Sequence, residues 1–253
     1  MELRVEGINK AFINNGKNKE VLKDISFEIE KGQFISLLGP SGCGKTTLLT
    51  IIAGFQKADS GLILVGENKV TKAGPDRGFV FQNYALFPWM TVKDNILFPM
   101  KQIKMGKAER QKRLEHLLTI AQLNGQEHLY PHQISGGMKQ RTALVRALAT
   151  TPDVLLMDEP LGALDHQMRQ SLQSELEDIW LEDRTTVVMV THDVDEAVYL
   201  SDRVIVMSRN KGKIVADMPI ELGRPRNRKS KEYEEYKNKL ENYLEQASLV
   251  TEE

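Results

Sequence analysis

Gly39-Pro40-Ser41-Gly42-Cys43-Gly44-Lys45-Thr46 is the stretch that decides the fold of this chain. It matches the pattern G-x-x-x-x-G-K-[ST], in which glycines let successive backbone N–H groups converge on phosphate oxygens. The apolar run at residues 34–38 predicts a buried strand before it, and residues 45–53 have their apolar side chains on one face of a predicted helix after it. A strand, a glycine-rich loop and a helix in this order are the context that a phosphate-binding loop requires.

The side chains that follow the last glycine have chemical roles at such a loop. Lys45 is expected to reach the β- and γ-phosphates of a nucleotide, and the Thr46 hydroxyl is expected to hold Mg²⁺. A glycine-rich turn that binds nothing would need neither residue. Cys43 has two interpretations, a reactive thiol near a helix N-terminus or a small residue that fills the loop. The predicted nucleotide contacts are Gly39, Pro40, Ser41, Gly42, Cys43, Gly44, Lys45, Thr46 and Thr47.

Strands and helices alternate on both sides of this loop. Residues 2–8 and 20–29 alternate apolar and polar side chains, which predicts an N-terminal β-hairpin with a polar turn at residues 14–19. Residues 83–150 have helical spacing and form a predicted helical subdomain. The alternation of strand and helix returns from residue 154, with predicted helices near 167–182 and 194–200, and implies a parallel sheet with right-handed crossovers.

The end of the chain divides into two segments. Residues 223–231 are basic and contain a proline, which predicts a linker that is either solvated or in contact with lipid headgroups or a regulator. Apolar and aromatic residues then recur at intervals of three and four, as on one face of an amphipathic helix that docks on its own domain or on a partner. The predicted division is one domain over residues 1–222, followed by the linker and helix at 223–253.

Composition excludes several classes of protein. The 253 residues fit one large α/β domain, and 34 basic against 35 acidic residues give a net charge of −1, which provides no general attraction to nucleic acid. A single cysteine excludes an internal disulfide framework and fits a reducing compartment such as the cytosol. The apolar runs are far shorter than the roughly 20 residues that a membrane span needs, and no signal peptide is recognisable at the N-terminus.

Two further segments have side chains suited to nucleotide hydrolysis. The apolar strand predicted at residues 154–157 ends at Asp158 and Glu159. Asp158 is placed to coordinate Mg²⁺, and Glu159 to polarise a water that attacks the γ-phosphate. His192 follows the apolar run at 186–190, where its imidazole is placed to bond to the γ-phosphate. A strand that ends in acids can also mark where the chain reaches solvent, and such a histidine can be a polar residue at a helix start.

Together with Ser135-Gly136-Gly137-Met138-Lys139-Gln140-Arg141, which lies before the acidic strand, these motifs resemble the nucleotide-binding subunits of ABC transporters. The resemblance implies an α/β fold, a P-loop NTPase of the ABC ATPase type with an N-terminal antiparallel β subdomain and an inserted helical subdomain. It implies a dimer in which Ser135, Gly136 and Gly137 of one subunit bind the γ-phosphate of ATP held by the other. The implied activity is ATP hydrolysis with Mg²⁺, coupled to transport.

The resemblance extends to three further positions. Phe12 resembles the aromatic residue that stacks on adenine, with packing inside the hairpin as the alternative. Gln82 resembles the loop glutamine that senses Mg²⁺ and the attacking water. The segment Gly162-Ala163-Leu164-Asp165 resembles the loop that communicates across the dimer, and Gly162 stands where many members have serine. Lys45, Gln82, Glu159 and His192 are therefore the expected catalytic residues, and Thr46, Gln82 and Asp158 the expected Mg²⁺ ligands.

Residues 74–82, 87–95 and 223–226 resemble importers of the nitrate, sulfonate and taurine group, which also includes bicarbonate systems. This resemblance implies uptake of a small anion through two copies of a separate membrane permease, supplied by an extracytoplasmic solute-binding protein. The chain would then lie at the cytoplasmic side of the membrane. Tyr84, Phe87 and Trp89 either line a groove for the permease or pack in the core.

Three other functions fit the sequence less well. A soluble ABC ATPase of DNA repair or chromosome architecture would have long heptad or zinc-bearing insertions, which this chain lacks, so no nucleic-acid partner is expected. A P-loop kinase accounts for the phosphate loop but not for the Ser135 motif. A regulatory subunit without catalysis would not need Glu159 and His192.

Overall fold

A computed structural model describes residues 1–14, 17–162 and 166–249 of the chain. These residues form two compact units, one built from Met1–Gly74 and Thr186–Glu253 and the other from Pro75–Thr185. The strands are β1 (Leu3–Asn14), β2 (Lys17–Ile29), β3 (Phe34–Leu38), β4 (Ser60–Val65), β5 (Asn68–Lys69), β6 (Arg77–Val80), β7 (Val154–Asp158), β8 (Thr186–Thr191), β9 (Arg203–Met207) and β10 (Ile214–Pro219). The helices are α1 (Lys45–Ile52), α2 (Val92–Gln102), α3 (Lys107–Ile120), α4 (Gly136–Leu148), α5 (His166–Asp183), α6 (Val194–Leu200) and α7 (Lys231–Ser248).

The first unit begins with the predicted hairpin. β1 pairs with β2 in antiparallel register, and β4 pairs with the other edge of β1 and with β5. The prediction of a polar turn over residues 14–19 is wrong at its ends, because Phe12 pairs with Lys19 and Ile13 with Asn18. Backbone pairing continues at this exposed end of the hairpin although Asn14 and residues 17–19 are polar, since the strand needs only its main-chain groups to form the ladder.

A parallel arrangement of strands also lies in the first unit. β3 pairs in parallel with β8 on one side and β9 on the other, and both β3 and β8 are buried along their whole length. A strand that is buried on both faces has a continuous run of apolar residues, and the sequence predicted β3 and β8 from such runs. β10 is antiparallel to β9 because a short hairpin joins the two strands.

The second unit combines two parallel strands with helices. β6 pairs in parallel with β7. Helix α2 packs against α3 and α4, and α3 buries the predicted apolar face formed by Leu114, Leu117 and Leu118. The sequence changes from a strand pattern to a helical pattern after residue 83, and the structure changes from strands to helices in the same region.

Helix α7 docks on the first unit, as one of its two interpretations predicted. Tyr233, Leu240 and Ala247 are buried at spacings of seven residues, and the helix packs against α6, β9 and β10. Tyr236 and Tyr243, which were expected on the same face, are half-buried at its margin. The apolar stripe is therefore narrower than the sequence pattern indicated.

The arginines before α7 are folded onto the protein, whereas the sequence predicted a solvated linker or lipid contacts. Arg224 Nη2 donates to the Leu200 carbonyl at 2.7 Å and to Asp202 Oδ1 at 2.8 Å. Arg226 is buried, and its Nη1 donates to the Ser201 carbonyl at 2.6 Å. These groups satisfy carbonyls at the C-terminal end of α6, where positive charge is stabilising.

Over the part of the chain that the structure describes, none of the helices has both the length and the apolar composition that crossing a bilayer requires.

The buried position of Leu240 predicts a large cost of truncation. We expect Leu240→Ala to lower the free energy of unfolding by about 2–5 kcal/mol, because it removes buried methyl groups and leaves a cavity under α7. Leu249→Ala is the matched control, since Leu249 is 70% exposed and its loss should change stability by less than about 0.5 kcal/mol. Urea unfolding followed by circular dichroism measures both. Equal shifts for the two variants would contradict the docking of α7.

Candidate functional site

The predicted phosphate loop joins β3 to α1 in the first unit. A Cβ on Gly39 would lie 2.5 Å from the Met207 carbonyl oxygen, so only glycine fits where the loop leaves the strand. Gly44 precedes α1 with φ of 105°, a left-handed backbone that glycine adopts without strain. The backbone N–H groups of the first turn of an α-helix have no partner inside the helix, so this end of α1 is of the kind that is suited to an anion.

The Lys45 side chain folds back over the loop that precedes it. Its Nζ donates to the Gly39 carbonyl at 2.7 Å and to the Pro40 carbonyl at 3.2 Å, and the residue is 5% exposed. These bonds hold the ammonium group beside the loop. Thr46 and Ser41 are exposed, and Thr47 is half-buried.

Cys43 lies beneath the loop, with its Sγ 3.9 Å from Lys45 Nζ. Its side chain is buried, and burial raises the pKa of the thiol, while the charge of Lys45 opposes part of this effect. A buried thiol with a raised pKa is a poor nucleophile. The structure thus favours the interpretation of Cys43 as a residue that fills the loop.

His192 lies at the end of β8 in the same unit, in a turn fixed by its two neighbours. Thr191 Oγ1 accepts a bond from Asp193 N at 3.0 Å and donates to the carboxylate of Glu196. Asp193 caps α6 by accepting from Glu196 N at 3.0 Å. The imidazole is exposed on a backbone that these bonds hold in place.

Phe12 lies on β1 with 38% of its surface exposed, and Lys10 Nζ is 5.5 Å from the centroid of its ring. Its ring is thus partly open to solvent. Its stacking on adenine stays a prediction.

In the second unit, Asp158 ends β7 and Glu159 follows it. Glu159 has φ of 44°, a left-handed backbone that is uncommon for a residue with a Cβ and is concentrated at functional sites. Gln82 Nε2 donates to Glu159 Oε2 at 3.4 Å, so the structure brings these two predicted residues together. A Cβ on Gly162 would lie 3.5 Å from the same Glu159 oxygen, which is ordinary contact, so the site has room for the serine found in many family members.

Ser135 caps helix α4, also in the second unit. Its Oγ accepts from Met138 N at 3.3 Å, which leaves the hydroxyl proton for another acceptor. A Cβ on Gly137 would lie 3.3 Å from Leu172 Cδ2, so the glycine allows α4 to approach α5 closely. Exposed Ser135 and half-buried Gly136 and Gly137 therefore place a hydroxyl and a helix N-terminus at one surface.

Two residues that the sequence analysis missed shape the loop after Gln82. Arg146, near the end of α4, donates to the carbonyls of Tyr84 at 2.9 Å and Ala85 at 2.7 Å. Both of these residues have positive φ. Asn95 is fully buried, and its Nδ2 donates to the Thr91 carbonyl at 3.0 Å. A half-buried arginine and a fully buried asparagine in amphipathic helices were the available signals, but neither pattern identifies the carbonyls that accept their bonds.

The aromatic residues of this loop are exposed to different degrees. Trp89 is 70% exposed, and its ring centroid lies 5.6 Å from that of Phe87. Phe87 in turn packs on Phe98 at 4.8 Å. Phe87 therefore packs inward, whereas Trp89 faces solvent, and a permease groove at these residues stays a prediction.

The predicted site residues thus divide between the two units. The phosphate loop, Phe12 and His192 belong to the first, and Gln82, Asp158, Glu159 and the Ser135 segment belong to the second. Asp165, predicted to communicate across a dimer, lies outside the described residues. The hydroxyl of Thr46, the amide oxygen of Gln82 and the carboxylate of Asp158 are hard oxygen donors, the type that Mg²⁺ prefers. This donor chemistry fits the metal that the resemblance implies.

Comparison with known proteins decides the family. A sequence profile described as ABC transporter matches residues 22–162. The chain belongs to the ABC transporter family. The ABC-type ATPase predicted from the sequence motifs is thereby confirmed, together with the predicted fold class.

Relatives match this family member along almost its whole length. The uncharacterised ABC transporter ATP-binding protein MJ0412 of Methanocaldococcus jannaschii is 45% identical, with 98% of this chain and 93% of the relative covered. The aliphatic sulfonates import ATP-binding protein SsuB of Bacillus cereus is 41% identical, with 99% and 98% covered. SsuB of Bacillus subtilis is 43% identical, with 91% and 89% covered.

Solved ABC structures agree with the fold. The dimeric post-hydrolysis state of the ATP-binding cassette MJ0796, bound to ADP and Pi, has a TM-score of 0.74 at 31% identity, with 87% of this chain and 99% of that chain covered. CbiO1 of Clostridium perfringens, part of the transporter complex cbiONQ, has a TM-score of 0.77 at 28% identity, with 87% and 88% covered.

The environment of Cys43 predicts slow alkylation. A thiolate is the reactive form, and a raised pKa leaves less thiolate at any pH below it, so the rate should still be rising as the pH passes 9. At about pH 7.5 we expect iodoacetamide to modify the folded chain at least about tenfold more slowly than the chain unfolded in urea. Mass spectrometry measures this directly because Cys43 is the one cysteine, and Cys43→Ala gives the background. Equal rates for the folded and unfolded chains would contradict the burial of the thiol.

Proposed function

We propose that this chain is the ATP-hydrolysing subunit of an ABC importer, working as a homodimer on a separate membrane permease. The observation that carries the proposal is the contact between Gln82 Nε2 and Glu159 Oε2, because it brings together the two side chains that the family resemblance assigns to the attacking water. We assign residues 1–222 to the ATPase domain, with its helical subdomain at about 83–150, and 223–253 to the C-terminal segment.

In the proposed working dimer, two ATP molecules are each held between the phosphate loop of one subunit and the Ser135 segment of the other. The loop contributes backbone N–H groups and the Lys45 ammonium, and Phe12 stacks on adenine. The partner's contribution is the hydroxyl of its Ser135 and the N-terminus of its α4. Asp165 is proposed to communicate between the subunits. The dimeric cassettes of MJ0796 support this arrangement.

The proposed chemistry is in-line attack of water on the γ-phosphate. Glu159 orients the water and accepts its proton. Gln82 holds the Glu159 carboxylate and the water in position relative to each other. Lys45 and His192 stabilise the negative charge on the transferred phosphoryl group. Thr46, Gln82 and Asp158 are proposed to hold Mg²⁺, which when bound neutralises phosphate charge.

The proposed partners follow from the importer assignment. Two permease subunits would contact the loop at residues 83–89, where Trp89 offers an exposed aromatic surface. An extracytoplasmic solute-binding protein would deliver the solute. The chain would lie peripherally at the cytoplasmic side of the membrane. The names of the SsuB relatives favour import over the DNA-repair class.

Replacing the proposed base tests catalysis and dimerisation together. We expect Glu159→Gln to lower the hydrolysis rate by at least about 100-fold, because the amide cannot accept a proton from water. With ATP and Mg²⁺, the variant should form a dimer on size-exclusion chromatography with light scattering, since closure no longer leads to hydrolysis.

Glu182→Gln is the control, because Glu182 is an exposed acid of α5 and its loss should leave the rate unchanged. Undiminished hydrolysis in Glu159→Gln would overturn the catalytic assignment. Lost hydrolysis without a dimer would keep that assignment and show that closure needs the permease.

The solute is proposed to be a small anion of the sulfonate, nitrate, taurine or bicarbonate type. The test is to purify the complex from membranes through a tag on this chain and to measure solute binding by its copurified binding protein with calorimetry. We expect an aliphatic sulfonate or another of these anions to bind, and a neutral sugar or a cationic amino acid not to bind. Binding of only a neutral or cationic solute would overturn the anion assignment and leave the ATPase assignment intact.

A further inference from the structure

The first turn of α7 and the segment before it form hydrogen bonds to one residue of α6, Asp195. Tyr233 is 1% exposed, and its Oη lies 2.9 Å from Asp195 Oδ1 and 3.0 Å from the Asp195 carbonyl oxygen, as donor to these acceptors. Arg228 donates to Asp195 Oδ2 at 2.6 Å, and its guanidinium lies 3.6 Å from the centroid of the Tyr199 ring. Burial and the charge of Asp195 raise the pKa of Tyr233, so the phenol keeps its proton and remains a donor.

Asp195 lies three residues after His192 in the chain. The backbone between them is closed by the bonds of Thr191 and Asp193 to the first turn of α6. A shift of α6 must therefore move the turn that carries His192. The contact between Tyr233 and Asp195 restrains α6 at its first turn, the end nearer to His192.

The other end of α7 contacts the segment behind the phosphate loop. The Ala247 carbonyl accepts a bond from Arg209 N at 3.0 Å, and Ala247 is fully buried. Arg209 follows β9 by two residues, and β9 ends at Met207, whose carbonyl lies against Gly39. One helix thus connects the segments that support His192 and Gly39.

We propose that α7 is a positioning element for hydrolysis, in which Tyr233 acts through Asp195 to hold His192 in its working position. Tyr233 touches neither nucleotide nor water in this proposal, so its effect passes entirely through His192. The inference rests on the proposed function, because it assumes that His192 contributes to hydrolysis.

The test is a double-mutant cycle on the full chain, with single-turnover hydrolysis of radiolabelled ATP in the presence of Mg²⁺. We expect Tyr233→Phe to lower the rate by about three- to tenfold, within the coupling found for residues of one hydrogen-bond network, with ATP affinity unchanged. His192→Ala should lower it by about 100-fold. In the His192→Ala background, Tyr233→Phe should have no further effect. A residue with a merely structural role would instead reduce the rate by the same factor in both backgrounds.

Tyr236→Phe is the matched control. It removes the same hydroxyl three residues further along α7, where Tyr236 Oη accepts a bond at 3.2 Å from the backbone N of Glu221, a residue outside α6. We expect its hydrolysis rate to equal that of the unmodified chain. Asp195→Asn is the second variant if Tyr233→Phe melts early, and it should show the same dependence on His192.

The outcomes separate this inference from the proposed function. A reduced rate in His192→Ala with an unchanged rate in Tyr233→Phe and Asp195→Asn would overturn the inference alone. Equal losses in the two backgrounds would also overturn it. An unchanged rate in His192→Ala would overturn the proposed role of His192, and this inference with it.

Discussion

The bond from the Lys45 ammonium to the Gly39 carbonyl closes the loop that joins β3 to α1, and the candidate site of the first unit depends on this loop. It requires the loop to turn back on itself, and the loop can do so because Gly39 has no Cβ to meet the Met207 carbonyl. The loop begins where the buried strand β3 ends, and the N-terminal N–H groups of α1 lie at the other end of the same loop. A larger residue at position 39 would displace either the phosphate loop or the end of β9 at Met207.

Glu159, His192 and Ser135 share a feature with this loop, since each sits directly after a strand or before a helix on a backbone fixed by its neighbours. Glu159 is held in a left-handed conformation at the end of β7, and His192 lies between two residues that bond to the first turn of α6. Ser135 is fixed by its own capping bond to α4. Chemistry placed at the ends of rigid elements keeps its geometry while the side chains remain accessible.

Sequence patterns predicted the elements whose signal is local. The structure agrees with the prediction for the buried strands β3 and β8 and for the bounds of α6. Burial on both faces of a strand and the spacing of a helix can each be recognised from residues that are neighbours in the sequence. The hairpin strands extend further than predicted, since backbone pairing at an exposed end needs no alternation of apolar and polar side chains. The Tyr84 and Ala85 carbonyls that accept bonds from Arg146 lie about sixty residues from it in the chain. Both residues have positive φ, but neither is a glycine, the residue type from which a positive φ is predicted. Site residues were recognised through motifs, whereas the residues that support them depend on contacts between distant segments.

Helix α6 shows why the C-terminal segment matters to the candidate site. Helices shorter than about 12 residues are marginal on their own, and α6 has seven. Its N-terminus is capped by Asp193, and the last carbonyls of the helix receive bonds from Arg224 and Arg226. A buried guanidinium is costly unless its donors are satisfied, so Arg226 favours the arrangement in which those carbonyls face it. The tail and the short helix therefore stabilise one another, and the turn that carries His192 depends on a segment more than thirty residues further along the chain.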